Sequence, residues 1–452
     1  MNIAILSGEI SGDMIGGALA KELLRLHPAA KLWGIGSNAM KAAGVDIIED
    51  SSTWGAVSIT QSLVKGPMVL WKMVPRLRKA LIARKPDVVV LIDFGFFNVR
   101  AAKFCKEHGM KVVYYFPPGS WRREGSKGAN LANLTDLLAV PFAWGEERYR
   151  KLGCNAKYVG HPLVERVKPE MSREEFAEQF GMSPERPIIG LLPGSREQEV
   201  KHLMPTLIDA ARLIYSEVKD AQFVIGVAPS ISLEMMQGYL KHDSVMADRL
   251  GELWNEYVVE PGARALKPVL KTAQSLIQPD RQMVTVAGGP PISENAWRER
   301  LEKQAKVMKR NQEVGLPPLA LAKGLTYDVM AHSNVLLTCS GTATLEAAIF
   351  ETPMVILYRG SKLMEIEYFL RGMKKKLIHI GLPNILAQKR IVPELIQRDA
   401  TPEIICKHTL EMLNNFETRA RVKSDLREVR LSLGEPGASE KTARLVIEMA
   451  EK

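Results

Sequence analysis

The chain has 452 residues, 46% of them hydrophobic and 25% charged, with a net charge of +10 and a pI near 9.3. That length exceeds what one hydrophobic core supports, so two domains are expected. Nothing reaches the roughly 18 consecutive apolar residues of a membrane span, and Cys105, Cys154, Cys339 and Cys406 lack the C-x-x-C spacing of zinc or redox sites. They read as buried thiols in a reducing compartment. The chain enters a strand at once, leaving no room for a signal peptide, so a cytoplasmic protein is expected. The positive charge favours anionic partners. With 6% aromatic residues and no nucleic-acid-binding motif, nucleotides and anionic membrane surfaces rank ahead of nucleic acid.

In the first part, strands are expected at 2–6, 31–35, 88–92, 111–115, 137–141 and 157–160, and helices at 13–26, 68–84, 98–108 and 144–152. Strands that alternate with helices imply a parallel sheet wound by crossovers. The first strand runs into Ser7-Gly8-Glu9-Ile10-Ser11-Gly12-Asp13, a small-residue turn opening a helix, with Asp13 where an N-cap is useful. Such a turn aims unpaired amides and the positive dipole end outward, toward phosphate. From Ser51 to Pro86 there is no Asp or Glu, while Lys65, Lys72, Arg76, Arg78, Lys79, Arg84 and Lys85 interleave with apolar residues. The stretch 57–79 reads either as a segment for the headgroup layer of an anionic membrane or as a core-packed helix with a solvated basic face.

A charged, Pro-containing stretch over 165–187 marks the domain boundary. Further strands are expected at 188–192, 222–227, 334–339 and 353–358, with an insertion at about 230–315 that fits neither unit. From about 420 the chain reads as helical and charge-rich. The expected fold class is α/β: two Rossmann-like domains, 1–165 and 166–420, facing a cleft, with a helical segment 421–452 packing back. A second Ser-Gly turn, Ser340-Gly341-Thr342, follows the strand Val335–Cys339 and repeats the phosphate-binding arrangement of the first.

Several residues stand where chemistry is done, each with a plainer reading beside it. Asp93 ends the wholly apolar strand Val88–Ile92, at the carboxyl edge where α/β folds place ligands. Partial burial there raises a carboxylate's pKa and suits a general base; a turn aspartate is the alternative. Ser195 and Arg196 end another buried strand. Arginine's planar fork suits a diphosphate, against a surface ion pair with Glu197 or Glu199. Glu346, one to two turns into the helix after Ser340, could accept from ribose hydroxyls, although Ser/Thr caps open ordinary helices too. His161, in Gly160-His161-Pro162, and Trp121, in a Pro-Pro-Gly loop with Arg122 and Arg123, could position substrate or anchor their loops. No H-E-x-x-H or paired Cys/His spacing supports a metal, and no cofactor is expected.

These motifs together resemble the lipid-A-disaccharide synthase family, inverting glycosyltransferases of the two-Rossmann GT-B architecture. The matching stretches run in the family's order: Ser7 to Asp13; Gly34-Ile35-Gly36 with Met40; Pro86-Asp87 to Ile92-Asp93; Gly160-His161-Pro162-Leu163; Leu191-Leu192-Pro193-Gly194-Ser195-Arg196. They continue through Ser340 to Glu346, Pro353-Met354-Val355 with Tyr358-Arg359, Leu382-Pro383-Asn384 and Val392-Pro393-Glu394-Leu395. The resemblance implies transfer of a diacylated glucosamine from UDP to the 6-hydroxyl of a diacylglucosamine 1-phosphate. It makes Asp93 the general base. Arg196 with Ser195, Ser340, Gly341, Thr342, Glu346 and Asn384 would hold UDP; Ser11, Gly12, Asp13, His161 and Trp121 would position the acceptor or substrate. It further implies contact of 57–79 with an anionic membrane at the inner face of the inner membrane, and a homodimer.

Two stretches depart from the family pattern, Phe94-Gly95-Phe96-Phe97-Asn98 and Phe116-Pro117-Pro118-Gly119-Ser120-Trp121-Arg122-Arg123. Both bear on acceptor specificity. A related GT-B enzyme with a different acceptor, a UDP-N-acetylglucosamine 2-epimerase, and a non-catalytic sugar-nucleotide sensor or membrane scaffold are the competing readings.

Overall fold

The computed structural model describes residues 1–52, 54, 74–121, 123, 125, 128–240, 258–259, 319–360 and 379–452. Most of the 57–79 segment and most of the 230–315 insertion therefore lie outside the described residues. The chain divides into two units, Met1–Arg166 with Leu431–Lys452, and Val167–Arg430.

In the first unit the strands are β1 (Asn2–Ser7), β2 (Lys31–Gly36), β3 (Asp46–Asp50), β4 (Val88–Ile92), β5 (Val112–Tyr115), β6 (Leu137–Val140) and β7 (Ala156–Tyr158). They pair in parallel, in the order β3-β2-β1-β4-β5-β6-β7. β4 is buried at every position. Val88, Val90 and Ile92 pack with Ile3 and Ile5 on one face, while Val89 and Leu91 pack with Ala4 and Leu6 on the other. A strand covered on both faces has to be apolar throughout, as this one is. β3 was not expected, because its Asp-Ile-Ile-Glu-Asp sequence lacks that continuous apolar signature.

Two helices begin three residues earlier than the sequence suggests. The first is Ile10–Leu26, with extended Glu9 as its N-cap, because the Asp13 carboxylate is drawn to other amides. The second is Gly95–Glu107. Asp93 and Phe94 both take a left-handed φ of 45°, so the chain reverses within two residues and the helix starts at once.

The helix Ala438–Glu451 belongs to the first unit, so the expected terminal segment 421–452 is divided near 430. Ala443 and Val446 join Leu19, Leu23 and Val159 in one apolar cluster. Glu165 accepts from the amides of Gly437 and Ser439 at 2.8 and 3.2 Å, a carboxylate at a helix N-terminus where the dipole favours it.

The second unit repeats the plan with β8 (Ile188–Leu192), β9 (Gln222–Val227), β10 (Val258–Val259), β11 (Leu319–Lys323), β12 (Val335–Cys339), β13 (Met354–Tyr358) and β14 (Glu394–Ile396). Its parallel order is β10-β11-β9-β8-β12-β13-β14. β10 and β14 escape a sequence reading because they are two and three residues long, and β11 because it is alanine-rich. Each sheet reverses its winding once, between β1 and β4 and between β8 and β12. Open α/β sheets bind ligands beyond the carboxyl ends of the strands at that reversal. Among the described residues, no helix is long and apolar enough to cross a membrane.

Candidate active site

At the reversal of the first sheet, the register pairs Ser7 with Ile92, so Gly8 lies beside Asp93 where the strands end. A Cβ on Gly8 would overlap the Phe94 ring, and only glycine permits this approach. Left-handed backbone at two successive non-glycine residues costs energy and persists only where neighbours enforce it. The Asp93 carbonyl accepts from Asn98 Nδ2 and from Tyr114 Oη, both at 2.9 Å, and its N–H donates to the Tyr115 carbonyl at 3.1 Å. Asn98 and Tyr114 are wholly buried, and Asn98 Nδ2 also donates to the Ile92 carbonyl at 3.0 Å.

The turn so held presents the Asp93 carboxyl. Burial, reinforced by the charge of Glu9 and opposed by the Phe94 amide, pushes its pKa from 3.8 to about 6. A group titrating there is ionised at neutral pH yet basic enough to draw a proton from a hydroxyl. It lines a cavity of ≈ 440 Å³ together with Gly95, Val99, Pro118, Trp121 and Leu131. Trp121 is 39% exposed. The structure thus brings Asp93 and Trp121 to one cavity.

Asp13 and His161 stand elsewhere. Asp13 Oδ1 accepts from the Ser37 and Met40 amides at 2.6 and 3.2 Å, and Oδ2 from Ala39 at 2.8 Å. Its carboxylate clamps the turn after β2, which corrects the N-cap expectation. Gly12 is buried against Ser7, and Ser11 is half-buried in the first turn of the same helix. His161 is buried, its ring edge-on to Phe116 at 4.9 Å and 5.7 Å from Phe142. Burial, helped by Arg166, lowers its pKa to about 3, so it is neutral. Its Nδ1 accepts from the Leu163 amide at 3.3 Å and its backbone N–H donates to the Leu433 carbonyl at 2.9 Å. Histidine here anchors the returning C-terminal segment.

At the reversal of the second sheet, Thr338 pairs with Leu192, so the turns after β8 and β12 are neighbours. Gly341 has φ 157° and ψ −163°, a region open to glycine almost alone. A Cβ there would meet nothing within 4 Å, and Gly341 and Thr342 are exposed at the start of the helix Thr342–Ile349. Ser340 Oγ donates to the Ile380 carbonyl at 3.1 Å, and Tyr327 Oη donates to Glu346 Oε1 at 3.1 Å.

Arg196 is exposed and caps the helix Glu197–Glu217. Its Nη1 lies 3.3 Å from Glu199 Oε1, so the ion pair weighed against a ligand role is formed. Glu199 Oε2 also accepts from the amides of Ser195 and Arg196 at 3.0 and 3.3 Å. A carboxylate therefore occupies the amide nest at this helix N-terminus, an arrangement of a kind that also suits phosphate oxygens.

Asn384 is wholly buried and its amide is consumed inside the protein. Nδ2 donates to the Val392 carbonyl and Glu394 Oε1, while Oδ1 accepts from the Ile391 and Val392 amides, all within 3.0 Å. It holds the loop whose Ile380 carbonyl meets Ser340. The sequence reading missed Asn98 and Tyr114 as supports of Asp93, and Glu394 as a support of that loop. No local pattern announces them. Glu199 carried one signal, its place three residues after an N-cap.

Two Rossmann-like units, each with one reversal of its parallel sheet, are the GT-B architecture. Solved structures share this fold at low identity. A UDP-GlcNAc 2-epimerase from Neisseria meningitidis bound to UDP-GlcNAc matches 99% of this chain and 100% of its own at 11% identity, TM-score 0.51. A ugt transferase from Siraitia grosvenorii in complex with UDP covers 100% of both chains at 12% identity, TM-score 0.51. The lipid-A-disaccharide synthetase family matches residues 3–247 and 265–449. The lipid-A-disaccharide synthase of Geobacter metallireducens is 32% identical over 450 residues, 100% of this chain and 97% of that protein. The chain belongs to the lipid-A-disaccharide synthase family and is a glycosyltransferase. Membership favours transfer over the epimerase reading that the shared fold also permits.

Proposed function

We propose that the chain transfers 2,3-diacylglucosamine from its UDP derivative to the 6-hydroxyl of 2,3-diacylglucosamine 1-phosphate. The products are the β-1,6-linked disaccharide phosphate and UDP. The observation that carries the mechanism is Asp93, a carboxylate of raised pKa on a rigid turn at the sheet reversal, opening onto a cavity. Inverting displacement needs a base at the incoming hydroxyl and stabilisation of the departing diphosphate. Asp93 serves as the base. Arg196, the Ser195 amide and the Ser340–Thr342 turn, exposed at Gly341 and Thr342, serve the diphosphate, with Glu346 at the ribose. Donor binding displaces the Glu199 carboxylate from the amides it occupies.

Acylated substrates reside in a bilayer, and the basic-apolar stretch 57–79 supports docking on an anionic surface at the inner face of the inner membrane. A homodimer is part of the same reading. Incubating the pure protein with both lipid substrates is expected to release UDP and disaccharide in equal amounts. Full turnover by Asp93→Ala refutes the base assignment. Flotation with anionic liposomes tests the membrane contact, and recovery only in the soluble fraction counts against it.

A further inference from the structure

Another cavity lies at the opposite end of the same strands. Asp93 and Phe116 stand just past the carboxyl ends of β4 and β5. At their amino ends a cavity of ≈ 330 Å³ opens, with Ile82, Lys85, Asp87, His108, Met110 and Lys111 in its lining. A strand advances about 3.3 Å per residue, which sets this cavity roughly 15–20 Å from Asp93. The segments that form it, 74–92 and 97–115, are described throughout.

Its side chains are held in place from outside. Lys85 follows the helix that ends at Arg84 and has a left-handed φ of 46°, which costs energy at any residue but glycine. Asn2, at the start of β1, enforces it. Asn2 Nδ2 donates to the carbonyls of Arg84 at 2.6 Å and Lys85 at 3.2 Å, while Oδ1 accepts from Trp33 Nε1 at 2.9 Å. His108 is fixed too: Nδ1 donates to the Phe104 carbonyl at 2.9 Å, and its ring lies 4.1 Å from that of Phe104.

Charge is also left over. On the two flanking helices, Arg76, Arg84, Lys103 and Lys106 pair with Glu49, Asp46, Glu107 and Asp136. Lys85 and Lys111 pair with no carboxylate among the described residues. The one carboxylate in the lining, Asp87, accepts from the Asn2 N–H at 2.7 Å. One lysine beyond a helix end answers the helix dipole. Two lysines from separate elements on one cavity suit a doubly charged oxyanion, which accepts from both at once. Ile82, 51% exposed, and half-buried Met110 add an apolar edge. The volume is at the small end of the roughly 300–1,000 Å³ of ligand sites.

We infer that this cavity binds a phosphate monoester, with the phosphate between the Lys85 and Lys111 ammonium groups and the organic part over Ile82 and Met110. The inference stands apart from the proposed transfer and uses none of its residues.

The test is competitive acetylation of lysines in the whole protein, read residue by residue by mass spectrometry at an ionic strength held with sodium chloride. Millimolar inorganic phosphate and glycerol 3-phosphate are the soluble probes. Phosphatidylcholine vesicles containing phosphatidic acid are the lipid probe, with phosphatidylcholine alone as the blank. Lys85 and Lys111 are expected to react about threefold or more slowly, saturably, while exposed Lys21 keeps its rate. Protection by the soluble probes assigns a free phosphate ester, and protection by the phosphatidic acid vesicles alone a lipid headgroup; either supports the inference. Lys85→Gln is expected to raise the half-protecting concentration at Lys111 about fivefold, and Lys111→Gln to do the same at Lys85. Asp87→Asn removes like charge and is expected to lower it about twofold. No slowing with any probe, equal slowing at Lys21, an unmoved half-protecting concentration in both lysine variants, or a raised one in Asp87→Asn overturns the inference. A Lys85→Gln protein that melts lower yet protects Lys111 as the parent does reduces Lys85 to a helix-end charge, which overturns it equally. Should Lys85→Gln not fold, Lys111→Gln decides alone.

Discussion

Asp93 is held where its charge is unwelcome, and both its reactivity and its cost follow from that. With a folded pKa near 6, the rate under kcat/KM conditions is expected to fall on the acid side with a midpoint close to pH 6. Asp93→Asn is expected to lower turnover by about 10²–10⁴-fold, the usual contribution of a general base. Stability moves the other way. A carboxyl whose folded pKa is raised stabilises the fold fully below its unfolded value, and that stabilisation is lost as pH rises through about 6. Asp93→Asn is therefore expected to melt higher than the parent at pH 7.5, by at most roughly 3 kcal/mol, with the gap closing below about pH 4 in thermal scans. His161 has the opposite sign: its folded pKa is lowered to about 3. The unfolded chain takes up a proton there first, so this contribution is present at neutral pH and is lost as pH falls from about 6.5 toward 3. His161→Gln is expected to flatten that acid slope in equilibrium unfolding.

At the scale of the element, the groups proposed for catalysis and donor binding sit on turns held by side chains outside the turn itself. The turn after β8 is the clearest case. Gly194 has φ 123°, and a Cβ there would overlap the Glu199 carboxylate. Gly194→Ala is expected to cost about 1–3 kcal/mol of stability and to raise donor KM with little change in acceptor KM, measured by steady-state kinetics at each substrate's saturation. The same turns show what a sequence does and does not disclose. Val88–Ile92 and Ile188–Leu192 were legible because doubly covered parallel strands must be apolar without interruption, and Asp93 and Arg196 were legible as the polar residues that end them. The roles of Asp13 and Asn384 were not. Asp13 meets amides more than twenty residues away, and nothing in the Leu-Pro-Asn stretch says that Asn384 will turn inward to Val392 and Glu394. Likewise Asp-Phe carries no mark of left-handed backbone. Asn98 and Tyr114 impose it, and Tyr114 becomes a neighbour only when β5 pairs with β4.

At the scale of the whole molecule, the first unit is completed by the end of the chain. The final helix supplies Ala443 and Val446 to the core under Ile10–Leu26, and Glu165 caps that helix from across the unit. Cutting the chain after Arg430 is expected to remove several kcal/mol of burial from the first unit. Hydrogen exchange should then quicken in β1 and β4 while β8 and β12 keep the parent's protection.

This arrangement also sets an order of events on the ribosome. Residues 167–430 leave the exit tunnel before residues 431–452 do. At about 5–20 residues per second, the nascent amino-terminal sheet waits for tens of seconds with Leu19, Leu23 and Val159 short of their lid. The unit encoded second is the one able to finish folding first, while the unit encoded first keeps part of its apolar core open to water until its closing helix is made.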